Sequence, residues 1–339
     1  MKATVKVTVL GAGVAGLTCA TELQKRGAAV TVIDRAPGLG PGSCSWWAGG
    51  MLAPWCEGES AEEPVVRLGG RAADWWQEHA GGVVRQGTLV VAPGRDTGEL
   101  RRFARRTENF TEMDAQAIAT LEPDLAGRFR QGLFFAGEAH LDPRAAIGSL
   151  ARKLCEGGGE LRFSTEAEDA PRGEVVVDCR GLAAREVLPE LRGVRGEMLM
   201  LRCREMEMSR TVRLLHPRIP IYIVPRGEGL YMVGATMIES ASRTAVSARS
   251  LVELLNAAYA LHPAFGEAEV VEIGVDARPA FPDNLPRVWR EGDRIFVNGL
   301  YRHGFLLAPA MARRAAALAY GESLSPEDKD ADRLERQTA

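Results

Sequence analysis

Hydrophobic and polar positions alternate over residues 5–10 (Val5-Lys6-Val7-Thr8-Val9-Leu10), shift to helical spacing over 14–26, and alternate again over 29–33, where the run ends on Asp34. Alternation predicts strands and the 3.6-residue period a helix. Between the first strand and the helix lies Gly11-Ala12-Gly13-Val14-Ala15-Gly16. In a G-x-G-x-x-G arrangement Gly11 permits the tight turn, Gly13 lets a pyrophosphate approach the backbone, and Gly16 brings helix against strand. Phosphates then sit on the helix N-terminus, and an acid about 20 residues on, here Asp34, accepts hydrogen bonds from a ribose hydroxyl. An acid at the strand end indicates a ribose without a 2′-phosphate, so Arg35 reads as a solvated surface side chain. The dinucleotide is NAD or FAD.

Further along, residues 37–54 form a long loop rich in Gly, Ser and Pro, containing Ser43-Cys44-Ser45-Trp46-Trp47-Ala48-Gly49-Gly50-Met51-Leu52. So long a loop inside a domain is usually functional. Helical pattern is predicted over 63–79 and over the charged stretch 99–124, with a break at Glu122-Pro123, and strands at 87–92 and 132–137. Asp142-Pro143-Arg144 opens a helix to about residue 156, since Asp caps well and Pro suits the first helical position. Strands follow at 160–163 and 174–179. Residues 194–237 read as antiparallel strands (198–203, 221–224 and 230–233) separated by turn residues. A helix at 248–262, strands at 270–277 and 294–298, and a last helix to about residue 320 complete the pattern. Pro309 is expected in that helix's first turn, and residues 322–339 as a charged, frayed tail.

This order predicts an α/β plus α+β fold, in which a Rossmann-like βαβ domain (1–82, 136–192 and 274–321) is interleaved with an antiparallel-sheet substrate domain (83–135 and 193–273). The ligand is expected between them. At 339 residues two domains are expected. The net charge of −3, without a block of like charge, speaks against a nucleic-acid partner. No run approaches the ~18 apolar residues of a membrane span. With no signal peptide read at the N-terminus, a soluble, cytoplasmic protein is expected. The six cysteines show no C-x-x-C or His/Cys metal spacing, so neither a metal site nor a redox-active pair is expected. With no second G-x-G-x-x-G, one dinucleotide is expected.

Several blocks resemble a known family in their order: the N-terminal fingerprint with Asp34, Ala48-Gly49-Gly50-Met51-Leu52, Asp178-Cys179-Arg180-Gly181, Tyr222-Ile223-Val224-Pro225-Arg226, Gly234-Ala235-Thr236-Met237, Ala277-Arg278-Pro279 and Arg302-His303-Gly304-Phe305-Leu306-Leu307-Ala308-Pro309. Together they are similar to FAD-dependent amine oxidases, most closely the glycine oxidases of thiamine biosynthesis within the D-amino-acid oxidase superfamily. The resemblance spans the chain to about residue 320. It implies noncovalent FAD, a homo-oligomer (often a tetramer), and oxidation of glycine and other small amines, with oxygen reduced to hydrogen peroxide. It implies flavin contacts at Val14, Ala15, Asp34, Arg35, Cys44, Ser45, Gly49, Gly50, Met51 and Ala167, and at Leu300, Tyr301, Arg302, His303, Gly304, Phe305 and Leu306. Substrate contacts carry over to Tyr222, Met237, Arg278 and Arg302. Two departures are visible: Trp46-Trp47 where small residues are usual, and Asp34 in place of a glutamate.

An amino-acid substrate brings a carboxylate and an amine, so its site needs a cation and an otherwise apolar wall. Arg278 and Arg302 are the candidates, because a planar guanidinium holds both carboxylate oxygens and fixes the angle at which the Cα hydrogen faces the flavin. No dedicated base is required if the amine binds neutral, and the histidines, including His216 and His303, are given no catalytic role. The helix after Gly304 is expected to turn its N-terminus toward the flavin edge that becomes negative on reduction. Competing expectations are a D-amino-acid or sarcosine oxidase or dehydrogenase, and a non-catalytic flavin-bearing subunit of a heteromeric dehydrogenase.

Overall fold

The computed structural model describes residues 5–170, 175–216 and 218–323. Its first sheet has six strands in the order Arg287–Glu291, Arg294–Asn298, Val175–Asp178, Lys6–Leu10, Ala29–Ile33 and Glu160–Arg162. All neighbours are parallel except the hairpin formed by the first two. Parallel strands bring their C-terminal ends to one rim, where ligands of such sheets bind. Here Leu10, Ile33, Asp178 and Asn298 end four adjacent strands, so Gly11, Asp34, Cys179 and Gly299 open side by side. The helix Val14–Lys25 covers one face with Val14, Leu17, Ala20 and Leu23 buried. The last helix, Gly304–Ala319, packs beside it, its buried Ala308, Ala312, Ala315 and Ala316 permitting close approach.

The second sheet has nine strands, mostly antiparallel, built around the long pair Arg192–Arg202 and Glu269–Ala280. Val212, Ile223, Val233 and Leu199 face a core closed by the helix Ala248–Leu261. The core of the first sheet is separate and includes Val7, Val9, Leu17, Trp76 and Met311. A two-stranded ladder, Met51–Leu52 with Ala139–His140, links the long loop to the segment before Asp142. Asp142 caps the helix Pro143–Glu156, accepting from the backbone N–H groups of Arg144 and Ala145.

Several elements differ from the sequence expectation. The helix expected over 63–79 is two, Glu63–Gly69 and Ala72–His79. Gly69 is where Leu306 packs in, and a Cβ there would lie 2.7 Å from its Cγ. The stretch 99–124 is not continuously helical. Helices Thr97–Ala104 and Ala115–Leu121 flank an edge strand, Thr111–Asp114, paired with Gln131–Phe135. Its mostly exposed polar residues carry no alternation, and pairing rather than burial defines it. Thr211–Leu214 is an unexpected strand parallel to Thr88–Val91, so the 194–237 block is not purely antiparallel. Arg287–Glu291 is another, completing the edge hairpin. The strand Arg192–Arg202 begins before 198 because its glycines accommodate neighbours: a Cβ at Gly196 would overlap the Arg278 guanidinium. Glu269–Ala280 runs through the 273/274 boundary drawn from sequence. Pro309 lies inside the last helix, beyond its first turn. The Phe305 carbonyl that a residue-309 N–H would have met accepts from Trp76 Nε1 at 2.7 Å instead. Glu174, expected in a strand, and residues 324–339 of the expected tail lie outside the described residues.

Candidate active site

The shared rim of the first sheet and the inner face of the second enclose a cavity of about 720 Å³. At its sheet end the backbone makes a cradle. Gly11 has φ +97°, and a Cβ there would approach the Cys179 carbonyl oxygen at 2.9 Å. A Cβ on Gly13 would crowd the hydroxyls of Ser45 and Ser43 at 3.2 and 3.3 Å. The helix behind has no side-chain cap on Gly13, and Val14 N–H donates to Ser45 Oγ at 3.0 Å. Val14 and Ala15 line the cavity. Gly16 does not: it packs beneath the turn, where a Cβ would overlap the Gly11 carbonyl oxygen.

Asp34 accepts from Ala12 N–H at 2.7 Å through one oxygen and from Ala36 N–H at 2.8 Å through the other. Two lone pairs are thus spent holding the turn, and the carboxylate still borders the cavity. Exposed Arg35 and Ala167, in a short turn after the strand Glu160–Arg162, form the neighbouring rim.

The long loop becomes the cavity's second wall. Cys44–Trp47 is a single 3-10 turn, with Ser43 Oγ accepting from Ser45 N–H. Arg144 lies over both tryptophan rings, 4.7 Å from the Trp46 centroid and 5.3 Å from that of Trp47, and pairs with Glu272 at 2.8 Å. The tryptophans therefore pin the loop; Trp47 also borders the cavity. Gly50, at φ +68°, has no room for a Cβ against the Leu141 carbonyl oxygen. A Cβ on Gly49 would lie 2.7 Å from Tyr222 Cε2. Cys44, Ser45, Gly49, Gly50 and Met51 all line the cavity. Burial, then the charge of Asp276, pushes the Cys44 thiol up to about 12.

Tyr222, Met237, Arg278 and Arg302 also line the cavity, as do Leu300, Tyr301, His303, Gly304, Phe305 and Leu306, which follow the rim strand Arg294–Asn298, with Gly304 against Val14. Tyr222 stands on the strand Ile221–Pro225, its ring filling the space left by Gly49 and Gly234. Arg278 lies over Gly196 and donates to the Thr236 carbonyl at 3.2 Å. Among the described residues no carboxylate is paired with it. Arg302 differs: it meets Glu57 at 2.8 Å and Ser60 Oγ at 2.7 Å, with Met237 Sδ 3.7 Å from its Nη1.

Glu57 escaped the sequence reading. It sits on the short helix Pro54–Glu57, buried in the cavity wall, and also pairs with half-buried Arg213 and lies 3.4 Å from His303 Nδ1. Burial pushes its carboxyl up, but Arg302, Arg213 and His303 outweigh that and hold it well below the usual carboxylate range. Burial lowers His303 to about 4, despite Glu57, so the imidazole is neutral at neutral pH. Among the described residues no group of His, Cys, Asp or Glu is arranged to hold a metal ion, and no helix is long and apolar enough to cross a membrane.

Residues 6–318 match the family described as FAD dependent oxidoreductase. The chain belongs to that family. It is 59% identical to a Rhizobium etli protein named as a thiamine biosynthesis oxidoreductase, ThiO, over 95% of this chain and 98% of the relative. It is 26% identical to a Pseudomonas aeruginosa glycine oxidase over 93% of this chain and 95% of the relative. The crystal structure of glycine oxidase from Geobacillus kaustophilus superimposes with a TM-score of 0.79 at 25% identity, covering 95% of this chain and 96% of that one. As a member of the FAD dependent oxidoreductases, the chain is a flavoenzyme. The cavity suits FAD: its volume lies in the usual range for such sites, Gly11 and Gly13 keep side chains out of the turn that leads into the helix, and a carboxylate stands at the end of the adjacent strand.

Proposed function

We propose that this enzyme oxidises glycine and other small amino acids, with oxygen as acceptor, and that the imine formed from glycine serves assembly of the thiamine thiazole. The names of the Rhizobium and Pseudomonas relatives support the pathway and the substrate. The observation that carries the reading is the pairing of the arginines. Of the two guanidiniums expected to meet the substrate, Arg302 already has a carboxylate partner and Arg278 has none.

In this reading Gly11, Gly13, Val14 and Ala15 hold the pyrophosphate, with Gly16 setting the turn, and Asp34 and Arg35 border the adenosine ribose. Cys44, Ser45, Gly49, Gly50, Met51, Ala167 and residues 300–306 enclose the rest. The cofactor is held noncovalently, so acid precipitation leaves flavin in the supernatant. When bound, FAD accepts two electrons from the substrate and passes them to oxygen. The overall change is glycine plus oxygen plus water to glyoxylate, ammonia and hydrogen peroxide.

Arg278 takes the substrate carboxylate as a planar fork and so fixes the orientation of Cα. Half-buried Tyr222, its hydroxyl pushed up by desolvation, stays protonated and can donate to the same carboxylate. Met51 and Met237 supply apolar wall, and His303 stays uncharged beside it. The helix Gly304–Ala319 starts at the cavity, and its positive end favours negative charge there. The domain division 1–82, 136–192 and 274–321 against 83–135 and 193–273, cytoplasmic placement and homo-oligomeric assembly belong to the same reading. The division rests on the order of strands and helices, the placement on the absence of a signal peptide or membrane run in the sequence reading, and the assembly on the resemblance to glycine oxidases.

The test is anaerobic bleaching of the bound flavin by glycine, sarcosine and D-alanine, followed by a peroxide assay in air. Glycine should bleach the flavin and yield one peroxide per turnover. A yellow protein that no amine bleaches would be a non-catalytic flavin subunit, and bleaching without peroxide would indicate a dehydrogenase.

A further inference from the structure

The cluster formed by Glu57, Arg213, Arg302 and Ser60 has no place in the reaction so far. One carboxylate lies between two guanidiniums: Arg213 is held by one oxygen, and the other lies 2.8 Å from Arg302 Nη2, which also donates to Ser60 Oγ at 2.7 Å. Arg278, Arg213 and Glu57 all act electrostatically on the Tyr222 hydroxyl, so the cluster and Arg278 share one end of the cavity. With Glu57 ionised, Arg302 and Arg213 are paired and Arg278 lines that end without a carboxylate partner; without its charge Arg302 loses its carboxylate and Arg213 keeps only the influence of Glu138.

We propose that Glu57 is a positioning residue that limits the site to amino acids carrying one anionic group. It occupies Arg302 and Arg213 and leaves Arg278 alone to receive a carboxylate. A second anionic group on the substrate, as in an N-carboxymethyl amino acid, meets guanidiniums already paired and the Glu57 carboxylate itself. This rests on the amino-acid oxidase reading above and adds the class of substrate excluded. A unit charge several ångströms away in a partly dry site changes affinity by about 10- to 100-fold. That is the selectivity Glu57 supplies.

The test compares Glu57→Gln and Arg302→Gln with the parent flavoenzyme. Acetate and malonate are titrated anaerobically against the bound-flavin absorbance, which needs no turnover, and kcat/KM is then measured for glycine and iminodiacetate. Glu57→Gln should shift the malonate-to-acetate affinity ratio at least about 10-fold toward malonate, and Arg302→Gln should shift it the opposite way, by a factor set by the same charge interaction. Opposite shifts are not what general loosening of the site produces. A ratio that stays within about twofold, or moves the same way in both variants, overturns the proposal. If Glu57→Gln loses its flavin because Arg213 is stranded, Arg302→Gln decides alone, and an unchanged ratio there is equally fatal. Should no amine bleach the parent flavin while the anion ratios shift as stated, the charge filter stands and the oxidase reading falls.

Discussion

Replacing Arg278 by alanine separates a substrate clamp from a structural arginine. The only hydrogen bond this side chain makes to the protein among the described residues is to the Thr236 carbonyl at 3.2 Å. Losing it costs about 1 kcal/mol of stability. The guanidinium lies over a glycine, and its removal leaves room for water rather than a sealed void. On the substrate side two charge-assisted hydrogen bonds disappear, each worth about 1.5–3 kcal/mol. Even the lower sum, about 3 kcal/mol, is roughly 100-fold in kcat/KM. Flavin content and thermal midpoint should stay near the parent's, while KM for glycine rises steeply and glycinamide, which lacks the carboxylate, is little affected. Arg278→Lys should recover part of the loss, since a point charge does not reproduce the fork. Peroxide formation per bound flavin, measured against both substrates, is the assay. If Arg278→Ala sheds flavin or unfolds while activity per remaining flavin is normal, the clamp assignment is wrong.

Asp34→Ala should weaken FAD retention through dilution and gel filtration, both by loss of the ribose acceptor and because Ala12 and Ala36 N–H lose their partner; unchanged occupancy would make Asp34 a turn residue only. Trp76→Phe should lower stability by about 1–3 kcal/mol, because the Phe305 carbonyl loses its donor in a buried setting; an unmoved urea midpoint would refute this. Burial holds His140, beside Arg226, and His303 down to about 4 in the folded chain, against an ordinary value of 6.5. The unfolded chain therefore binds protons first, and stability should fall as pH drops from about 6.5 to about 4, by up to about 3 kcal/mol per histidine. A pH slope of the thermal midpoint that is shallower in the His303→Gln and in the His140→Gln variant than in the parent, and shallowest in the double variant, is the expected signature; a flat parent would contradict it.

What could be read from the chain was what local pattern encodes. Ala29–Ile33 and Arg294–Asn298 are short, apolar, β-branched runs and have the bounds expected of them, and Asp142 caps the helix its side chain suggested. The strand Thr111–Asp114 lies on a sheet edge with most side chains in solvent, so no buried face imposes a pattern. Thr211–Leu214 is only four residues long, and its parallel partner lies far back at Thr88–Val91. The cavity residues named from the resemblance do meet in space, and Gly16, read from the glycine spacing, supports the turn from behind. Glu57 stood outside every motif, and its partner Arg213 is 156 positions away. The one local hint was an acid directly after the apolar Pro54-Trp55-Cys56, on a helix too short to keep it in water.

The proline inside the last helix has a consequence for how this chain can drift. Position 309 supplies no amide hydrogen, so residue 76, on a different helix, completes the turn that begins at the cavity. The two positions are therefore historically ordered: an amide restored at 309 could take over the Phe305 carbonyl and make the indole donor dispensable, whereas losing the indole first leaves that carbonyl bare. Substitutions at 76 and 309 should accumulate in one sequence and not the other, and a tryptophan with no contact to the reaction becomes a gatekeeper of change in the helix that carries it.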